Sequence, residues 1–265
     1  MKIGVIGCAG RMGQMLVREI TATAGCTLIG GTHKVGGEAI GKDLGLLAGL
    51  DALGVVAIDD PVALFAQADA VIDFSNPEAT ERHAALAAQA ETVLVVGTTG
   101  LNPSQQAAIA QAATHTAIIQ SPNMSLGVNL LLALVEQVAS KLDDAYDIEI
   151  LEMHHRNKVD APSGTALGLG RAAAAGRGVA LEDVWQKTRD GITGARPRGE
   201  IGFATLRGGD VIGDHVVMFA GDGERIELTH KGSGRQIYAK GAVRAALWAR
   251  DKTPGLYSMK DVLGL

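Results

Sequence analysis

The stretch KIGVIGCAGRMG, residues 2–13, indicates the fold of the first half of the chain. Its opening residues form a short apolar run typical of a buried β-strand, and glycines follow at positions 7, 10 and 13. At a strand-to-helix turn, this G-x-x-G-x-x-G spacing permits a sharp turn, close approach to a pyrophosphate and close packing of the helix on the sheet. Because the first amides of a helix bind phosphate, the stretch predicts a dinucleotide site. A bare turn that needs glycines is the alternative.

Short apolar strands alternate with alanine-rich helices from residue 2 to residue 121. Predicted helices include Arg11–Ala24, Pro77–Ala90 and Pro103–Ala113. The predicted strands are Lys2–Gly7, Thr27–Thr32, Val55–Asp59, Ala70–Ser75, Thr92–Gly97 and Thr116–Ser121. Strands that are apolar on both faces and alternate with helices favour a parallel sheet covered on both sides. This pattern is typical of a doubly wound, Rossmann-type α/β domain, which we assign to residues 1–121.

The pattern changes in the second half of the chain. A long helix, Ser125–Lys141, precedes the alternating stretch DIEILEMHH, and Thr188–Gly199 has the composition of a long loop. Residues 202–232 then predict antiparallel strands joined by Gly-Gly-Asp and Asp-Gly turns. These features predict a second, α+β domain with a mixed or antiparallel sheet over residues 122–234.

Composition argues against several classes of protein. The formal net charge of −5 and the 3% aromatic content suit neither a basic surface nor the stacking platforms that nucleic-acid binding uses. The most apolar stretch, Leu126–Val138, is shorter than the roughly 20 residues of a membrane span and carries Asn129 and Glu136. We therefore expect neither nucleic acid nor a membrane as a partner. Cys8 and Cys26 are too few for a disulfide framework, and no export signal is visible, so we expect a cytoplasmic protein.

The end of the second predicted strand bears on the choice of cofactor. In NAD sites a carboxylate roughly 20 residues after the glycines binds the ribose 2′-hydroxyl. Here the strand ends in Thr32, His33 and Lys34, with no acid at its tip. Lys34, helped by Arg11, is instead placed to neutralise a 2′-phosphate. We therefore expect NADPH to be accepted at least as well as NADH; the alternative is that Lys34 is an ordinary solvated lysine.

Residues 152–166, EMHHRNKVDAPSGTA, concentrate groups that can carry chemistry. His154 and His155 are adjacent at a strand end, so they point to opposite sides. No cysteine or paired carboxylate nearby completes a zinc set, and we expect no metal. The P-S-G-T turn begins a helix whose first amides, at Gly164 and Thr165, are placed to bind an anion. A proton donor, cations and an anion-binding helix end together suit a small dicarboxylate substrate.

The pattern E-x-H-H-x-x-K-x-D-A-P-S-G-T-A resembles the signature of the dihydrodipicolinate reductase family, also called 4-hydroxy-tetrahydrodipicolinate reductases. The resemblance covers nearly the whole chain and includes G-x-x-G-R-M-G, Asp73-Phe74-Ser75, Gly97-Thr98-Thr99-Gly100, Ser121-Pro122-Asn123-Met124-Ser125, Gly213-Asp214-His215 and Gly241-Ala242. It implies a dinucleotide-binding domain of residues 1–121 completed by residues 235–265. It also implies that residues 122–234 bind substrate and build a homotetramer.

The resemblance further implies the activity and the roles of single residues. The activity is NADPH- or NADH-dependent reduction of a dihydrodipicolinate-type cyclic imine to tetrahydrodipicolinate, in lysine and diaminopimelate synthesis. His154 matches the proton donor or acceptor and Lys158 the second catalytic donor. His155 matches a contact to one substrate carboxylate, and Gly164 and Thr165 match the group that holds the other. The implied cofactor contacts are Gly7, Cys8, Ala9, Gly10, Arg11, Met12, His33, Lys34, Gly97, Thr98, Thr99, Ser121, Pro122, Asn123 and Met124.

Two alternatives remain beside this interpretation. One is a different NAD(P)H reductase that acts on another small dicarboxylate, and the other is a non-catalytic dinucleotide-binding scaffold. The pair His33–Lys34 stands where members of the family often carry an acid followed by a base, which is a departure from the usual NADH contact.

His215 and His230 are interpreted as structural or interface residues.

Overall fold

A computed structural model describes residues 1–265, and the chain forms two compact units. Unit 1 contains residues 1–126 and 235–265, and unit 2 contains residues 127–234. None of the helices combines the length and the apolar character that crossing a membrane requires.

Unit 1 is built on a parallel sheet of seven strands, which confirms the predicted Rossmann-type α/β fold. The strands are β1 (Lys2–Ile6), β2 (Thr27–Thr32), β3 (Ala57–Ile58), β4 (Ala70–Asp73), β5 (Val93–Val96), β6 (Ala117–Gln120) and β12 (Gly255–Tyr257). Their order is β12-β6-β5-β4-β1-β2-β3, and every pair is parallel. The loops after β1, β4, β5 and β6 therefore leave from the same edge of the sheet.

The helices of unit 1 begin where capping residues occur in the sequence. Asp60, Asn76 and Asn102 each accept a hydrogen bond from an amide in the first turn of the following helix, and each is followed by a proline. Proline suits this position because the first helical amide lacks an acceptor in any case. The helices are α1 (Arg11–Ala22), α2 (Leu44–Leu47), α3 (Pro61–Phe65), α4 (Pro77–Ala90), α5 (Pro103–Ala112), α9 (Gln236–Ala249) and α10 (Met259–Leu263).

Both faces of this sheet are buried, which explains the uninterrupted apolar runs of its strands. Along β4, Ile72 belongs to one core cluster and Val71 to the other, and both are fully buried. Helix α9 contributes a row of buried alanines, including Ala242 and Ala246, to the same cluster as Ile72. Each fully buried Val or Ile side chain stabilises the fold by about 1.5–3 kcal/mol.

Unit 2 contains a mixed sheet of five strands, in agreement with the predicted α+β architecture. The strands are β7 (Asp147–His154), β8 (Trp185–Gln186), β9 (Ile201–Arg207), β10 (Gly213–Gly221) and β11 (Glu224–Gly232), in the order β11-β10-β7-β9-β8. The helices are α6 (Leu126–Ala139), α7 (Gly164–Gly176) and α8 (Leu181–Val184).

One sequence prediction for this sheet was wrong. Strands β9 and β10 were expected to form an antiparallel pair, but β7 lies between them, parallel to β9 and antiparallel to β10. The Gly208 amide donates a hydrogen bond of 2.9 Å to the His154 carbonyl, so the chain passes the end of β7 and pairs on its far side. Local turn residues do not reveal an intervening strand. Only β10 and β11 form the predicted hairpin, through Asp222 and Gly223.

The buried face of strand β7 is apolar in its first half and polar in its second half. Its side chains alternate between buried and half-buried, as expected for a strand with one covered face. The buried side reads Ile148, Ile150, Glu152 and His154. Two apolar residues therefore pack in the core, and two ionisable residues follow on the same face.

Candidate active site and cofactor site

The glycine loop between β1 and α1 has the geometry of a phosphate cradle. Gly7 has a φ of +70°, which glycine adopts readily. A Cβ on Gly13 would lie 2.2 Å from the Gly7 carbonyl oxygen, so the helix approaches the loop only because that side chain is absent. Helix α1 starts after Gly10 without a side-chain cap and without an acid in its first turn. The first amides are thus available to an anion, and the loop fits the pyrophosphate of a dinucleotide.

Other residues of this loop differ in what they offer a cofactor. Cys8 is buried, and burial raises the pKa of its thiol to about 11, so the side chain is an uncharged core group. Ala9 uses its carbonyl to accept a hydrogen bond from the Gln14 side chain. Arg11 is exposed and Met12 is half-buried. Cys8 and Ala9 can therefore serve a ligand only through their backbone.

A cavity of about 800 Å³ extends from Gly7 along the ends of β1, β2 and β4. His33 and Lys34 line it directly after β2, and Arg82 lines it from α4. Arg11 does not line this cavity, so Arg82 is the arginine that accompanies Lys34 there. The cavity contains one carboxylate residue, Asp59. Its size and its two cations fit the adenosine end of a dinucleotide with a 2′-phosphate.

We expect removal of either cation to weaken NADPH binding more than NADH binding. For Lys34→Ala and Arg82→Ala, the Kd for NADPH should rise by about tenfold, the effect of losing one charge-assisted hydrogen bond. The Kd for NADH should change little, because NADH lacks the phosphate. Titration calorimetry with each cofactor measures this, with the exposed Lys42→Ala as control. An equal rise in Kd for both cofactors would show that neither cation binds the 2′-phosphate.

A buried polar network supports the loop after β5. Asp73, at the end of β4 and fully buried, accepts hydrogen bonds from the Ser75 amide at 2.8 Å and the Thr80 hydroxyl at 2.9 Å. The Nδ1 atom of His83 lies 2.8 Å from the same carboxylate. The Thr80 hydroxyl also lies 2.8 Å from that of Thr98. Through Thr98, this network fixes the loop of Gly97, Thr98 and Thr99 to α4.

The segment after β6 is held by its own side chains. The Ser121 hydroxyl donates to the Asn123 carbonyl at 2.7 Å, and the Asn123 side-chain oxygen accepts from the Ser125 amide at 2.9 Å. Met124 is 1% exposed and belongs to the core of unit 1. The Met124 side chain is therefore packed away from solvent. Pro122 is exposed.

In unit 2, His154 lies against a buried carboxylate. The Nδ1 atom of His154 is 2.5 Å from Oε2 of Glu152, which is 1% exposed. Arg207 from β9 donates to both carboxylate oxygens of Glu152, at 2.8 and 3.0 Å. Burial alone would raise the pKa of Glu152, but the hydrogen bonds from Arg207 and His154 outweigh it and hold the pKa below its usual value. Burial lowers the pKa of His154, and Glu152 offsets this only in part.

The N-terminus of α7 lies next to this pair. Ser163 caps the helix by accepting from the Ala166 amide at 3.1 Å, and its own amide donates to Oε1 of Glu152 at 3.0 Å. The Ser163 hydroxyl is also 3.2 Å from Nε2 of His215. Gly164, the first residue of the helix, is exposed, and a Cβ there would meet no other atom within 4 Å. Thr165 follows in the same turn, half-buried.

His215 packs beside His154 without being equivalent to it. The two rings meet edge to face, with centroids 5.2 Å apart. Burial lowers the pKa of His215 to about 4, and its Nδ1 atom is buried without a hydrogen-bond partner. His215 is thus a neutral residue that supports Ser163. The His154 side chain is 10% exposed.

Lys158 lies in the loop after β7, among exposed residues. Its ammonium pairs with Asp160 at 2.7 Å, and the Lys158 side chain is 20% exposed. This ion pair holds the pKa of Asp160 below its usual value. His155 immediately follows β7 and is half-buried, and its carbonyl accepts a hydrogen bond from the Lys158 amide. The Ala161–Pro162 peptide bond, between this loop and α7, is cis.

The structure places His154 beside the N-terminus of α7, where Gly164 and Thr165 begin the helix, and it places Lys158 close enough to act electrostatically on His154. Sequence reasoning missed Glu152 and Arg207, and it interpreted His215 as structural. Glu152, Arg207 and His215 all contact His154, or a residue that holds it. Glu152 could have been found, because residues two apart on a strand share a face and the DIEILEMHH alternation places it beside His154. Arg207 lies 55 residues from Glu152 in sequence, and no pattern predicts their contact.

Comparison with known proteins agrees with the geometry. A family model described as the N-terminus of dihydrodipicolinate reductase matches residues 1–124, and one described as its C-terminus matches residues 127–263. A 4-hydroxy-tetrahydrodipicolinate reductase of Dinoroseobacter shibae is 56% identical, over 99% of this chain and 98% of its own length. One from Parvibaculum lavamentivorans is 58% identical over 100% of this chain and 98% of its own length.

A solved structure shares the fold. It is described as a dipicolinate-bound dihydrodipicolinate reductase from Paenisporosarcina sp. TG-14, and it has a TM-score of 0.79 and 23% identity. The match covers 97% of each chain. The two family models together span nearly all of the present sequence. The chain therefore belongs to the dihydrodipicolinate reductase family.

Proposed function

We propose that this chain reduces the dihydrodipicolinate-type cyclic imine, formed from 4-hydroxy-tetrahydrodipicolinate, to tetrahydrodipicolinate in lysine and diaminopimelate synthesis. As a member of this family the chain is an oxidoreductase that uses NAD(P)H. The observation that carries the proposal is the arrangement of His154, Lys158 and the N-terminus of α7 around one edge of the unit 2 sheet. A proton donor, a cation and an anion-binding helix end are what a small unsaturated dicarboxylate requires.

The proposed reaction adds a hydride and a proton across a ring double bond conjugated to the imine. When bound, the reduced nicotinamide supplies the hydride to ring carbon C4. The electron pair of the C3–C4 double bond then forms a C2–C3 double bond, and the imine π pair moves to the ring nitrogen, giving an enamine anion. Protonation at C3 restores the imine in the product. His154 delivers that proton from Nε2, because Nδ1 is engaged by Glu152. An imidazole has the pKa range that general acid catalysis near neutral pH needs.

The remaining residues bind and polarise the substrate. Lys158 places a positive charge where negative charge develops at the ring nitrogen, which favours the transition state over the ground state. The first turn of α7, at Gly164 and Thr165, binds one carboxylate through the helix terminus. His155 contacts the other carboxylate. These assignments leave Asp160, which is exposed, as the partner of Lys158 before substrate arrives.

Loss of NADPH absorbance tests this function. Substrate made freshly from aspartate semialdehyde and pyruvate should cause rapid oxidation of NADPH, whereas simple oxo acids should cause none. Comparable activity with oxo acids would favour the alternative reductase. Flat absorbance with correctly folded, cofactor-binding protein would favour the non-catalytic scaffold.

We also propose that unit 2 builds a homotetramer through the open face of its sheet. Leu151 and Val216 are paired across β7 and β10, and Met153 and Leu206 across β7 and β9, so all four share one face. Leu206 is 46% exposed. An exposed apolar sheet face of this kind is typical of a protein–protein interface.

Leu206→Asp tests the oligomer. A charge on this apolar face should lower the molar mass measured by light scattering from that of a tetramer to a smaller species. The control is Val62→Asp on α3, at a 59% exposed position outside unit 2. A wild-type protein that is monomeric at micromolar concentration would contradict the proposal.

The proposed location is the cytoplasm. Cys8 and Cys26 are both free thiols, which supports a reducing compartment. Fractionation of cells with an antibody against the chain would test the location.

A further inference from the structure

Glu152 is a buried carboxylate on a sheet face that is otherwise apolar. It is 1% exposed and follows Ile148 and Ile150 on the covered side of β7. Burying a charge is costly unless hydrogen bonds and an opposite charge compensate it. Both oxygens of Glu152 are fully used, by His154, Arg207 and the Ser163 amide. Burying this carboxylate is costly, and all of its hydrogen-bond partners belong to the candidate site. We therefore expect it to have a role in that site.

We propose that Glu152 is the positioning residue of the proton donor: it fixes Nδ1 of His154 as a hydrogen-bond donor and so presents Nε2 to the substrate. This inference rests on the proposed function, in which His154 protonates the ring. After Nε2 gives up its proton, the imidazole is neutral with its remaining proton on Nδ1, facing Glu152. The carboxylate stays ionised throughout.

The carboxylate cannot rotate away from this task. Oε2 lies 2.5 Å from Nδ1 of His154. Oε1 is held at 3.0 Å by the Ser163 amide and at 3.0 Å by Arg207, which also donates to Oε2. Arg207 is itself fixed, because it donates to the Leu206 and Asp160 carbonyls. Glu152 therefore sets both the orientation and the tautomer of His154.

The Nε2 edge of the imidazole faces Gly213, and the His154 side chain is 10% exposed. No protein group hydrogen-bonds Nε2 of His154. A Cβ on Gly213 would lie 3.0 Å from that atom, so a side chain at position 213 would cover it. The absence of a side chain at Gly213 leaves the edge that the proposal assigns to the substrate.

The charges around His154 predict how its proton affinity responds to mutation. The anion that touches it is Glu152, and the cations that act on it are Arg207 from β9 and Lys158 from the following loop. Asp160 is paired with Lys158, and His215 faces the ring from β10, with His230 of β11 acting on His215. Loss of the Glu152 charge should therefore weaken protonation of His154, and loss of the Arg207 charge should strengthen it.

Two variants that shift the pH profile in opposite directions test the proposal. The wild-type kcat should fall as pH rises through the pKa of His154, because the acid must be protonated. Glu152→Gln should move this fall to lower pH by about one unit or more and reduce kcat at pH 8 by about tenfold or more. Arg207→Gln should move it to higher pH. A merely structural Glu152 would lower kcat at every pH without moving the profile, and that result would overturn the proposal.

Nuclear magnetic resonance of the histidine side chains gives a second readout that does not depend on activity. In the wild-type protein with ¹⁵N-labelled histidine, neutral His154 should carry its proton on Nδ1, and the Nε2–H tautomer would overturn the proposal. This measurement also applies if Glu152→Gln fails to fold. If wild-type protein with the expected tautomer does not oxidise NADPH in the presence of the imine, the proposed function fails while the positioning of His154 by Glu152 stands. If His154→Gln keeps full activity, the reductase function stands, but His154 is not the proton donor and the catalytic role assigned to Glu152 fails. If His154→Gln is inactive and the profiles do not shift, only the role of Glu152 fails.

Discussion

His154→Gln should lower kcat for the reduction by about 10²–10⁴-fold, the usual contribution of a positioned general acid. The glutamine side chain can still accept or donate hydrogen bonds beside Glu152, but it has no proton to give at C3. Binding of NADPH should be unchanged, because the glycine loop and the cofactor cavity lie in unit 1. Steady-state kinetics and a separate cofactor titration measure the two quantities.

Two further histidine variants make this result specific. His155→Gln should raise KM for the substrate and change kcat much less, because His155 is assigned to a substrate carboxylate. His115→Gln, at an exposed position in unit 1, should leave both constants as in wild type. A His154→Gln enzyme with wild-type kcat would remove His154 from the role of acid.

Lys158→Ala should reduce kcat by about 10²–10³-fold, as found when one preorganised group that stabilises developing charge is removed. It should also raise KM, because the same ammonium attracts the doubly charged substrate. Lys158→Arg keeps the charge but changes its geometry, so it should restore substrate binding more than turnover. The comparison of kcat with KM across these two variants separates the two contributions.

The control for Lys158 is another cation in the same loop. Arg156 is exposed, two residues earlier, and Arg156→Ala should change neither constant appreciably. If Lys158→Ala leaves both kcat and KM at wild-type values, Lys158 is only a surface charge.

Local sequence determines much of the fold directly. Strand Thr27–Thr32 and helix Pro77–Ala90 have the predicted bounds. An apolar run specifies the first, and an asparagine cap followed by proline specifies the start of the second. The position of β7 between β9 and β10 could not be predicted in this way. The turn residues between β9 and β10 suggest direct pairing, and they carry no information about a third strand that comes from earlier in the chain. Short edge elements such as β12 were missed because three residues carry too weak a pattern.

Some residues of the candidate site could likewise be predicted from local sequence, and others could not. His154, Lys158 and the start of α7 fall within one short segment, so the sequence alone grouped them. Arg82 lies on α4 and Arg207 on β9. The sequence around each of them contains no motif that would assign it to a binding site. Glu152 is intermediate: strand periodicity places it beside His154, but only its contacts with Arg207 and Ser163 show that it is held there.

A crystal structure of the protein with pyridine-2,6-dicarboxylate, a planar stand-in for the ring, would test the central claim most directly. The account predicts one carboxylate within about 3 Å of the amides at Gly164 and Thr165, the other near His155, and the ring edge facing Nε2 of His154. A dicarboxylate bound well away from α7, with Nε2 of His154 out of reach of the ring, would contradict it.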